Sequence, residues 1–153
     1  MCGALEFSEE ISKSGTQPII GTQINFIFNK VMGKIPIFAQ TKKGFSNLTK
    51  LSSKSYLDAK ETLPPHCNLD ELFSHSEDII VTSGGLDSLL NNLIKKNNTK
   101  EVQEFISKMT KIFNDRFYFE IQRHNDPGEK YLENNLLSLS KKFKVPLIAS
   151  QEI

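Results

Sequence analysis

The sequence has little cysteine: only Cys2 and Cys67 among 153 residues. They form neither a CxxC pair nor a disulfide framework, which excludes a cysteine-rich zinc module and fits a reducing compartment. An excess of charge is missing too. Nineteen Lys+Arg against eighteen Asp+Glu leave +1, far from the basic surplus that phosphate-backbone binding writes into a composition. No apolar run reaches the roughly 20 residues needed to cross a bilayer, and the N-terminus lacks a basic segment followed by an apolar stretch with a small-residue cleavage site. A soluble, cytoplasmic protein without a membrane partner is expected. Internal repeats, low-complexity linkers and the phosphate-binding spacings GxGxxG and GxxxxGK[ST] are absent as well.

What is present suits one globular α/β domain: 38% hydrophobic, 9% aromatic and 24% charged residues in a chain of ordinary domain length. Ala4 to Lys13 reads as a helix stopped by Gly15. Gln17 to Asn29 and Ile35 to Ala39 read as neighbouring strands about a turn at Gly33. Pro36 lacks a ladder donor, so the second strand either lies at an edge or pairs only after it. Gly44 to Leu57 reads as a helix with one modest buried face, and Asn68 with Glu71 supplies a capping-box start for a short helix over Leu69 to Phe73. Asp78 to Thr82 is a buried strand ending in Ser83-Gly84-Gly85. Leu86 to Ile94 and Val102 to Phe113 follow helical spacing, broken by an Asn98 cap with Glu101. Arg116 to Gln122 alternates as a strand does, Asp126-Pro127-Gly128-Glu129 starts a helix with Pro at its first position, and Val145 to Ala149 is the last strand. About five mostly parallel strands with right-handed helical crossovers result. The chain opens inside a helix and closes at a strand end, so it reads as a piece of an α/β barrel, which needs about 250 residues. Uncovered strand edges and helix faces would then favour aggregation.

Candidate chemistry is sparse. His66, His75 and His124 stand in no metal-ligand spacing. His124 is the best of them because it follows a strand, and α/β barrels carry functional groups at strand C-termini; the other two read as solvated. Ser83-Gly84-Gly85 could cradle an anion but reads better as a tight turn. The Lys pairs at 42–43, 95–96 and 141–142 read as solvated helix positions.

The blocks MCGALEFSEEISKSGTQPIIGTQ, IPIFAQTKKGFSNLTKLSSKSY, IIVTSGG and RFYFEIQRHNDPGEKYLENNLLSLSKKFKVPLIASQEI run in order through the chain. Together they resemble the N-terminal PHP (polymerase and histidinol phosphatase) domain of the bacterial DNA polymerase III alpha subunit, a replicative polymerase. The resemblance implies a distorted TIM-like barrel, here partial and mostly parallel. Metal-binding members hold divalent ions (Mg, Mn or Zn) with histidines and carboxylates. Against that pattern, Gln23 stands where a glutamate is expected and Lys34 where a histidine is. His124 matches a ligand, and Glu152 stands in place of an aspartate. The family's first HxH motif is expected upstream of Met1, and a further histidine beyond Ile153. A carboxamide and an ammonium cannot replace a carboxylate and an imidazole, so the resemblance implies a vestigial metal site, no catalytic residue and no cofactor for this chain. The implied partners are the remainder of the alpha subunit and the proofreading exonuclease subunit, with DNA reached only through the full-length parent. The parent's nucleotidyltransferase carboxylates lie outside these residues. A metal-dependent phosphoesterase or 3'-5' exonuclease is the alternative.

Overall fold

A computed structural model describes residues 3–57 and 62–151. Its strands are β1 (Gly21–Phe28), β2 (Val31–Ala39), β3 (His66–Asn68), β4 (Ile79–Thr82), β5 (Phe117–Ile121) and β6 (Leu147–Ala149). The helices are α1 (Ala4–Lys13), α2 (Lys42–Leu57), α3 (Leu69–Ser74), α4 (Leu89–Lys95), α5 (Thr99–Phe113) and α6 (Glu129–Phe143). All six strands form one sheet in the order β3-β1-β2-β4-β5-β6. Only β2 runs against the others, being antiparallel to β1 and β4, while β1–β3, β4–β5 and β5–β6 are parallel. The sheet is mixed, mostly parallel and open rather than closed into a barrel.

Burial alternates along the first two strands and so assigns their faces. Ile24, Phe26 and Phe28 of β1 and Val31, Ile35 and Ile37 of β2 are buried in one core with Val81, Phe117 and Phe119. On the opposite face Gln23 is exposed and Asn25, Lys34 and Phe38 are half-buried. Leu48 and Leu51 of α2, Leu90 and Leu93 of α4, and Phe105 and Met109 of α5 complete the core. Arg116 holds the start of β5 to β4, donating from Nη1 to the Ser76 and Ile79 carbonyls, both at 2.7 Å. Helix α1 forms as the spacing predicts, yet none of its residues is buried.

Three local expectations change, and the alternative that β2 pairs after Pro36 holds for its ladder to β4. The β1–β2 turn falls at Asn29 and Lys30, both with positive φ (48° and 63°), because a two-residue hairpin loop needs that left-handed twist. Gly33 instead lies inside β2, where a Cβ would stand 2.4 Å from the Leu89 backbone, so it serves close strand–helix approach. Strand β2 is central. Its ladder to β4 begins only at Ile37, so the missing Pro36 N–H costs no bond there. Helix α4 starts at Leu89, not Leu86, with the Ser88 hydroxyl accepting from Asn91 N–H at 3.2 Å, and α6 starts at Glu129 with Gly128 (φ 100°) as its N-cap, leaving Pro127 outside the helix.

Candidate functional site

The carboxyl ends of β4, β5 and β6 meet the first half of β1 and the second half of β2, because Thr22 pairs with Ile37 and Ile37 with Val81. On the open face this places Gln23, opposite Pro36, near Glu120 and Gln122. These residues, with Gly21, Thr22, Phe38, Ser150 and Gln151, line a recess of about 400 Å³. Glu120 sits at its inner wall and is only 7% exposed. Its carboxylate accepts from Thr82 Oγ1 at 2.5 Å, Gln122 Nε2 at 2.8 Å and Ser150 Oγ. Its own N–H donates to Ser83 Oγ at 2.9 Å. One buried carboxylate therefore joins the ends of three strands.

His124 lies elsewhere, three residues past β5, in the loop that leads to α6. It lines a second recess of about 500 Å³ with Arg123, Leu147 and Ala149 among others; Ser150 and Gln151 border both recesses, while Gln23 lines only the first. The loop is closed by Glu129. Oε1 and Oε2 accept the His124 N–H at 3.1 and 2.9 Å, Oε2 accepts the Asp126 N–H at 3.2 Å, and His124 Nδ1 stands 3.0 Å from Oε1. Burial works to raise the Glu129 carboxyl, but the His124 backbone and ring and the Asp126 N–H outweigh it and hold it below its ordinary value of 4.5. Next to it, Arg123 forks onto Glu133 at 2.6 and 3.2 Å, which lowers the Glu133 carboxyl.

Lys34 donates its N–H to the Asp87 carbonyl at 3.1 Å, and its ammonium stands 2.5 Å from the Asp87 carboxylate. Glu152 lies outside the described residues. The structure thus brings Gln23 to Glu120, pairs Lys34 with Asp87, and leaves His124 with Asp126 and Glu129. Glu120 and Ser150 were not singled out by their sequence context. The available signal was a lone acidic residue in the aromatic strand FYFEI, where alternation places it opposite Phe119.

The donors test the implied divalent cluster. One ligand atom from each of His124, Asp126 and Glu129 falls within 4.8 Å of the others. Both Glu129 oxygens, however, are already committed to closing the loop. Because a carboxylate only accepts, His124 Nδ1 carries the proton toward Glu129, and Nε2 is its remaining donor atom. Gln23 brings a neutral amide and Lys34 an ammonium without a lone pair. This set does not fit a cluster of several divalent ions held by imidazoles and carboxylates.

The remaining motifs are accounted for locally. Ser83-Gly84-Gly85 is a strand-to-helix turn, with Gly84 at φ 72° and Ser83 N–H on the Tyr118 carbonyl at 2.9 Å. His66 is not in a solvated connection but in β3, half-buried, paired with Asn25 and with Nδ1 2.8 Å from the Pro64 carbonyl. Three residues behind two prolines are too few to show alternation. His75 Nδ1 stands 2.9 Å from the Glu71 carbonyl. Among the described residues no helix is long and apolar enough to cross a membrane.

Comparison with known proteins places the sequence among similar ones. The chain is 34% identical over 159 residues to a DNA polymerase III subunit alpha of Caulobacter vibrioides, covering 99% of this chain and 14% of that protein. It is 31% identical over 152 residues to the Rickettsia bellii subunit of the same name, covering 99% of this chain and 13% of that one. The Borreliella burgdorferi subunit is 30% identical over 161 residues, covering 98% and 14%. The chain thus spans about 13% of the length of the first curated relatives it matches. The PHP domain family matches residues 1–124. With most of its length inside that match, and with polar groups gathered at the carboxyl ends of a mostly parallel sheet, this chain belongs to the PHP domain family.

Proposed function

We propose that this chain is part of the PHP domain of a replicative DNA polymerase III alpha subunit and serves DNA replication as a structural and docking module. On this reading residues 1–153 are an incomplete PHP domain of a longer cytoplasmic subunit, and the open sheet is one side of a distorted TIM-like barrel. The metal site is degenerate. The observation that supports this reading is the Lys34–Asp87 ion pair at 2.5 Å, a lysine ammonium at the position where the resemblance implies a histidine in metal-binding members. The partners are the remainder of the alpha subunit and the proofreading exonuclease subunit, and DNA is met only through the full-length parent.

Two measurements test this reading. Purified chain dialysed against Mn²⁺ or Zn²⁺ should retain well under one ion per chain and should not hydrolyse a phosphodiester saturably. On a sizing column it should co-elute with the exonuclease subunit of the same organism; failure to do so with folded protein refutes the docking role.

One observation favours a second reading, a metal-dependent phosphoesterase or 3'-5' exonuclease. A histidine whose Nδ1–H is held by a carboxylate, as His124 is by Glu129, is oriented as metal-ligating histidines commonly are. Stoichiometric metal together with hydrolysis abolished by His124→Ala would replace the first reading with the second.

A further inference from the structure

Glu120 is a buried carboxylate that pairs with no cation among the described residues. Its three hydrogen-bond donors, Thr82, Gln122 and Ser150, are neutral. Oε1 takes two of them and Oε2 only Thr82. A carboxylate offers about four acceptor positions, so one on Oε2 stays open. A buried carboxylate without a counter-charge is costly, and neutral donors offset only part of that cost.

The recess beside Glu120 has a definite chemistry. The Gln122 amide is already spent: a Cβ on Gly85 would meet its Oε1 at 2.2 Å, so that oxygen lies against the Gly85 backbone while the NH2 serves Glu120. Phe38 packs equally close on Gly21, where a Cβ would meet its ring at 2.4 Å. Phe38 and Pro36 thereby form an apolar wall, and the carboxamides of Gln23 and Gln151, both exposed, stand at the rim. Lys34, on the same face of β2, has its charge answered by Asp87.

An apolar wall with an aromatic ring, a carboxylate short of one donor and two rim carboxamides together fit a planar cation on an aliphatic stem. The stem covers the wall, the plane stacks on the ring, and the N–H fork reaches Oε2 and an amide oxygen. An ammonium has no plane to stack and is more strongly hydrated. We infer that this recess binds an alkylguanidinium group, carried by an arginine side chain or by a small guanidine. The recess itself carries the inference; on the replication reading it lies at the strand ends of the barrel, beside the remainder of the subunit.

The test titrates the ¹⁵N-labelled chain with N-acetylarginine methylamide, agmatine and the uncharged N-acetylcitrulline methylamide, following the side-chain amide signals of Gln23, Gln122 and Gln151. Both guanidinium compounds should shift these signals saturably, with Kd about 1 mM. The citrulline compound should bind at least about tenfold more weakly, as charge-assisted hydrogen bonds require. Glu120→Gln should weaken the arginine compound by at least the same factor. Should that variant fail to fold, Gln151→Ala at the rim should still weaken it several-fold. Tighter binding of capped arginine than of agmatine identifies a peptide source, and the reverse a small molecule; both support the site. Absence of saturable shifts up to about 50 mM, or equal binding of the citrulline compound, overturns it.

Discussion

Three carboxyls, Glu71, Glu129 and Glu133, are held below their ordinary value, and two of them tie structural elements together. Glu129 closes the His124 loop and Glu71 ties α3 to α2, taking Lys54 Nζ at 2.8 Å and the Asn68 N–H at 2.8 Å. Burial works to raise the Glu71 carboxyl, and the Lys54 and Asn68 contacts overcome it, so both groups titrate below 4.5. A depressed carboxyl contributes stability that is complete above its unfolded value and is lost as pH falls through the folded one. The urea midpoint should therefore be insensitive to these groups above pH 4.5 and fall below it. Glu129→Gln should lower the midpoint at neutral pH, and its difference from the parent chain should shrink in acid. An equal difference at every pH would show that the carboxylate's charge plays no part. Hydrogen exchange at the His124 and Asp126 amides should rise in the same variant.

At the scale of elements, the hairpin and the β2–α4 contact are the places where backbone geometry decides stability. Lys30 holds φ 63° without being glycine, and a left-handed residue costs roughly 1–2 kcal/mol. Lys30→Gly should stabilise the chain by up to about 1 kcal/mol, part of the gain being offset by glycine's greater freedom when unfolded. Gly33→Ala should do the opposite. Its Cβ would meet Leu89 backbone atoms at 2.4 Å, and backbone cannot rotate away, so a loss of about 1–3 kcal/mol or more is expected in a urea titration. Ser88→Ala removes the α4 cap bond to Asn91 and should cost about 1 kcal/mol.

Over the whole molecule, stability is unevenly spread. Leu72 and Phe26 are fully buried, whereas Leu5 and Phe7 of α1 are 73% and 49% exposed. Leu72→Ala should cost roughly 2–5 kcal/mol by leaving a cavity. Phe7→Ala should change the midpoint by no more than about 0.5 kcal/mol, as surface substitutions usually do. Amides of α1 should exchange fastest among the helices, since nothing buried holds it to the core. An α1 protected as strongly as α5 would mean that it packs on something in solution.

Most elements were legible in the sequence for local reasons. Apolar spacing gave α4 and α5, and Asn98 caps α5 by accepting the Glu101 N–H at 3.3 Å, as its position beside Glu101 predicts. The Asn68–Glu71 spacing likewise marks the start of α3, where the Asn68 N–H meets the Glu71 carboxylate. Other features needed the chain to fold on itself. Strand β3 has three residues and exists only because β1 offers it a partner. Gly33 lies inside β2 against the Leu89 backbone, fifty-odd positions away, and not in the turn. Glu120 meets Thr82 and Ser150 across separations of 38 and 30 residues. Local sequence determined which segments become helix or strand, since capping and periodicity act within a turn or two; tertiary structure decided which polar groups share the recess, since their meeting depends on strand order and register that no local pattern encodes.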